Sequence, residues 1–60
     1  MIVKDLYLVL PENQVVFIDD NTNEIDIYSG IADDIPLDLF NKYVEEVKTL
    51  GNGTIFISCE

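Results

Sequence analysis

The sequence predicts an α+β domain: a small four-stranded, mainly antiparallel sheet built from two hairpins, with two short helices. Three observations carry this expectation. Two β-rich runs flank an Asp/Asn/Thr turn between Gln14 and Tyr28, Gly51-Asn52-Gly53 signals a second hairpin, and apolar residues at helical spacing stand ahead of each.

Val3, Leu6, Tyr7, Val9 and Leu10 fit one stripe of a helix over 3–10, although the same residues suit a buried strand. Pro11 ends the segment either way, because the residue before a proline avoids helical backbone. From Gln14 to Asp19 the run Val15-Val16-Phe17-Ile18 is β-branched and aromatic. Asp20-Asn21-Thr22-Asn23 then favours a turn, since short polar side chains bond the nearby backbone. Glu24-Ile25-Asp26-Ile27-Tyr28 alternates polar and apolar, as expected of a strand with one wet face.

Asp33-Asp34-Ile35-Pro36 resembles a helix start, with proline suited to the first turn and acidic residues complementing the helix dipole. The spacing of Leu37, Phe40, Val44 and Val47 allows one helix over 36–50 capped by Gly51, which would leave a three-stranded sheet. The other arrangement is a short helix over 36–41 and a strand over 43–49, paired through Gly51-Asn52-Gly53 with a strand ending at Cys59. That last strand would place Ile55, Ile57 and Cys59 on one face and Thr54, Phe56 and Ser58 on the other.

Sixty residues make one domain, 1–60, with a thin core, because a chain of this size buries only about 60% of its unfolded surface. One cysteine precludes an internal disulfide, and without histidine a structural zinc site lacks its ligands. Self-association is the remaining aid, so a homo-oligomer is among the expectations. No apolar run approaches the ~20 residues of a membrane span, and no leader pattern is visible, so the chain reads as cytoplasmic. The sequon Asn52-Gly53-Thr54 is then better taken as a turn.

Twelve carboxylates face three lysines and no arginine, a net charge of −9. This balance disfavours nucleic acid and anionic membrane and favours a partner with a basic surface. The carboxylates concentrate in three stretches: Asp19, Asp20 and Glu24 at the first turn, Asp33, Asp34 and Asp38 around the expected second helix start, and Glu45 with Glu46. These eight are the candidate partner-binding residues.

The order of motifs resembles a group of small acidic proteins of phages and prophages of Gram-positive bacteria. The resemblance runs through Val3-Lys4-Asp5-Leu6, then Leu10-Pro11-Glu12-Asn13-Gln14-Val15-Val16, then Tyr28-Ser29-Gly30-Ile31-Ala32-Asp33-Asp34-Ile35-Pro36. It closes on Leu39-Phe40, Val44 to Val47, and Gly53-Thr54-Ile55. It covers nearly the whole chain in short pieces. It implies a helix–hairpin–helix–hairpin order and a mobile-element protein, and carries over no catalytic residue.

The residue inventory argues against an enzyme. Cys59 has no histidine to activate it, and an apolar role on an inward strand face is the simpler account. Ser29 and Ser58 lack an imidazole partner, and the adjacent carboxylate pairs need a pocket that a domain this small hardly provides. The segment from Asp19 to Asp26 imitates a calcium loop at positions 1, 3 and 5. It has Glu24 where glycine is needed and Gly30 where a bidentate glutamate is needed. No metal, cofactor or nucleotide motif is therefore expected.

The function expected is non-enzymatic: a phage or mobile-element protein that binds a protein partner through its acidic surface. In its sharper form it is a DNA mimic inhibiting a nucleic-acid-binding host defence protein. Two alternatives stand beside it. One is an oligomeric sponge for a small ligand such as a nucleotide signal, with Tyr7, Tyr28 or Tyr43 stacking on a base at a subunit interface. The other is an accessory phage protein whose charge only maintains solubility.

Overall fold

A computed structural model describes all residues from 1 to 60. The elements run α1 (Val3–Val9), β1 (Val15–Asp20), β2 (Ile25–Ile31), two 3₁₀ turns (Ala32–Asp34 and Leu37–Leu39), β3 (Val44–Thr49) and β4 (Ile55–Cys59). The α+β class and the four strands agree with expectation. The sheet is mixed, in the order β2-β1-β4-β3, with antiparallel pairs β1–β2 and β3–β4 joined by a parallel β1–β4 pair.

Both hairpins and two of the three strand pairs agree with the expected mainly antiparallel sheet, and the parallel seam that joins them is the part not expected. Turn residues determine which strands form each hairpin, but not how two hairpins dock. Here Val16, Phe17 and Ile18 of β1 lie beside Ile55, Phe56 and Ile57 of β4. Both runs are apolar on successive positions, as central strands are, whereas β2 and β3 interleave charge with apolar residues and stand at the edges.

The second helix is also corrected. Pro36 takes extended backbone, φ −61° and ψ 141°, and two 3₁₀ turns flank it where one α-helix was expected to start. Proline restrains the residue before it and cannot donate, so the backbone restarts after Pro36 in a single tight turn. Asp33 and Asp34 thus close the first turn and do not open a helix. The long helix over 36–50 does not form; β-branched Val44, Val47 and Thr49 lie in β3.

At its start α1 uses two main-chain acceptors and one carboxylate. Val3 and Lys4 donate to the carbonyls of Lys42 and Phe40 at 3.0 and 3.1 Å, and the Ile2 N–H donates to Asp5 Oδ2 at 2.9 Å. Donors that a helix start ordinarily leaves free are thereby satisfied, and the helix is pinned to the segment before β3. Its inward residues pack on one face of the sheet, together with Leu39 and Phe40. Tyr7 and Phe40 meet at 4.7 Å between ring centroids, tilted by 44°. The core beneath them is Val3, Val16, Ile18, Ala32, Ile35, Ile57 and Cys59.

No covering element remains for the other sheet face. Val15 and Phe17 of β1 stay 42% and 39% exposed there, alternating with Val16 and Ile18 at 0% and 1%. Tyr28 folds over Gly30, where a Cβ would lie 2.7 Å from the phenol oxygen, and donates to the Ile31 carbonyl at 2.7 Å. No helix is long and apolar enough to cross a membrane.

Candidate functional site

The eight candidate carboxylates do not form a single group. Because β1 and β4 run parallel, the last residues of both strands reach the same end of the sheet, together with the start of β3. Asp19 and Asp20 therefore reach the same end of the sheet as Glu45 and Glu46, with β4 between them, and the first and third sequence clusters share one end. The Asn21 amide spans them, donating to both oxygens of Glu45 at 3.1 and 3.2 Å. Its backbone N–H donates to the Cys59 carbonyl at 2.7 Å. Both ladder irregularities fall here too, between Ile18 and Asp19 and between Val44 and Glu46. Bulges re-aim side chains, and the second frees Glu45 to reach Asn21.

Asp33 and Asp34 do not join this group. They follow the far end of β2, where Ala32 donates to Gln14 and Asp33 to Glu12 through the backbone. Asp38 is exposed in the second 3₁₀ turn.

Asp20 departs from its expected role. It is buried, and Thr22 N–H, Asn23 N–H and the Asn23 amide donate to its carboxylate at 3.0, 3.2 and 2.9 Å. Lys42 Nζ lies 3.6 Å away. Those donors, led by Asn23, hold the Asp20 pKa below the ordinary carboxylate value. A carboxylate committed to its own turn is not free for a partner.

Asp19 points to the opposite, open face, and its register neighbour across β2 is Asp26. Partial burial, then the facing Asp26 charge, push the Asp19 pKa up. Asp26 was not among the candidates. Its signal in the sequence was its place in an alternating strand opposite an acidic residue, a pairing that becomes visible only once register is known.

Two of the three lysines offset members of this group, and the third pairs with none of the rest. Lys42 is committed to Asp20, and Lys48 Nζ lies 3.4 Å from Glu46, which leaves Lys4 outside any ion pair. Ten of the twelve carboxylates are exposed; Asp19 is half-buried and Asp20 buried.

Comparison with family models, curated proteins and solved structures finds no match to this chain.

The one cavity lies on the open sheet face, with a volume of about 150 Å³, lined by Phe17, Ile18, Asp26, Tyr28, Ser29 and Phe56. Cys59 does not line it. It is fully buried, and burial raises its pKa, so it stays a protonated, shielded thiol. Native protein is expected to resist a thiol reagent such as dithiobis-nitrobenzoate and to react fully in denaturant. Rapid labelling of the folded chain would show that β4 opens at this end.

Proposed function

We propose that the chain is a non-enzymatic binding domain that holds a basic protein surface through its acidic surface. The observation that carries this reading is that two carboxylate clusters share one end of the sheet, where both nearby lysines are already paired. Lys42 and Lys48 offset Asp20 and Glu46, while Asp19, Glu24 and Glu45 have no lysine partner, and fields from such grouped charges steer a basic partner and fix its orientation more than they add raw affinity. The resemblance to small acidic phage proteins supports a sharper form. In it the partner is a host nucleic-acid-binding defence protein in the cytoplasm, whose basic channel the carboxylates occupy in place of phosphates.

The sponge reading receives less support. A single copy offers about 150 Å³, below the roughly 300 Å³ at which small-molecule sites begin. Tyr7 is engaged by Phe40 and the Tyr28 hydroxyl by a carbonyl, leaving Tyr43 as the exposed tyrosine.

Capture from host lysate by the immobilised chain tests the proposal, with proteins identified by mass spectrometry at low and high salt. Specific capture should fall steeply with salt and should fall again for the triple variant Glu24→Gln, Glu45→Gln, Glu46→Gln. Duplex DNA should release the captured protein if the partner surface is a nucleic-acid channel. Capture indifferent to both salt and the triple variant would overturn the reading.

A further inference from the structure

The apolar cleft on the open sheet face is a feature the acidic surface does not by itself explain. Phe17 and Phe56 are register neighbours on the parallel seam, and Ser29 is the neighbour of Phe17 across β2. Asp26 lines the same cleft, and Asp19 faces Asp26 across the strand pair. Two aromatic side chains thus sit beside a pair of carboxylates on a face that nothing covers.

We propose that this cleft is the docking point for an arginine side chain of a basic protein partner, its stem on Phe17 and Phe56 and its guanidinium on Asp26. Resting on the acidic-surface reading, the proposal names the chemistry that reading leaves open. Arginine suits the site because its planar group stacks on aromatic faces and meets a carboxylate with two parallel donors. Two carboxylates facing each other without a cation repel, and an arriving guanidinium relieves that repulsion. The volume, about 150 Å³, holds a side chain and not a whole metabolite.

Charge complementarity also decides against a second copy as the occupant. Each chain carries −9, and two such faces in contact would bring Asp19 and Asp26 of each copy into one interface. The face's own cation, Lys48 beside Phe56, is spent on Glu46 at 3.4 Å.

Titration of the ¹⁵N-labelled full chain with a short glycine–arginine peptide, followed by amide shifts, tests the proposal; the citrulline peptide of the same length serves as the uncharged isostere. Shifts should cluster at Phe17, Asp26, Ser29 and Phe56 with the arginine peptide and be absent with citrulline. Asp26→Asn should weaken the arginine peptide about fivefold to tenfold. Glu12→Gln, with the same loss of charge on an exposed residue outside both the cleft and the candidate carboxylates, should change it less than twofold. Equal shifts with both peptides, or arginine shifts spread evenly to Asp33, Asp34 and Asp38, would overturn the cleft proposal. So would shifts that depend on protein concentration without peptide, since a second copy would then be the occupant. Salt-sensitive lysate capture that survives Asp26→Asn would sink the cleft and spare the acidic-surface reading. Peptide binding at the cleft without any salt-sensitive capture would do the reverse.

Discussion

Replacing Ile57 by alanine is expected to lower the melting temperature by about 10 to 30 °C. Ile57 is fully buried in β4, between β1 and β3, with Ile18 and Val47 as its register neighbours. Truncating a fully buried isoleucine costs about 2–5 kcal/mol through lost transfer energy and the cavity left behind. A domain of this length has roughly 3–9 kcal/mol in total, at about 0.05–0.15 kcal/mol per residue. The loss is then most of the stability, and each kcal/mol moves the midpoint of so small a domain by about 4–8 °C. Val47→Ala provides the contrast. Val47 lies opposite Ile57 but is 41% exposed on the edge strand, and its truncation should shift the midpoint by only a few degrees. Circular dichroism melts of the two variants check this. Similar midpoints for both would mean that the core does not lie along the seam.

The second large effect is a reversal of sign between neighbouring aspartates. Asp20 is held below its ordinary pKa by Asn23, Thr22 and Lys42, so its charged form stabilises the fold. That contribution is present above the unfolded pKa, near about 4, and is lost as pH falls through the lower folded value. Asp19 is held above its ordinary pKa by partial burial and by Asp26. Its ionisation therefore opposes folding at neutral pH, and the penalty fades as pH falls through the raised value. Asp20→Ala should lower the melting temperature by roughly 5–10 °C at pH 7, because two backbone donors and Lys42 lose their acceptor, and by less at pH 3. Asp26→Asn should raise it by a few degrees at pH 7 and converge on the parent at pH 3. Melts across that range decide the matter; a destabilising Asp26→Asn at pH 7 would show that the facing carboxylates do not repel.

Much of the local structure was legible in the sequence. Asp20 to Asn23 and Gly51 to Gly53 made both hairpins readable, because turn chemistry acts over a few residues. The strand over 44–49 was legible as one of two arrangements, since Val44 and Val47 satisfy a helical stripe as well as a strand. The parallel seam was not legible, because docking between hairpins is decided by nonlocal packing. A hint lay in the unbroken apolar runs Val15 to Ile18 and Ile55 to Ile57, the pattern that strands of parallel sheets show. The candidate site suffered in proportion. Without the seam, Glu45 and Asp19 could not be placed at one end of the sheet, Asp26 had no visible partner, and Asp20 could not be distinguished from Asp19. Their environments differ because successive strand residues point to opposite faces.

That seam also governs the order in which the chain can assemble. Ile18 and Tyr28 meet across a short turn, whereas Val16 must find Ile55 from two-thirds of the chain away. Closing the longer loop costs more chain entropy, and the cost falls due before the contact gives anything back. Each hairpin is marginal alone, because an isolated pair of strands has little to bury. Cooperativity in this domain therefore resides in its single parallel ladder, where two weak local units become one stable whole.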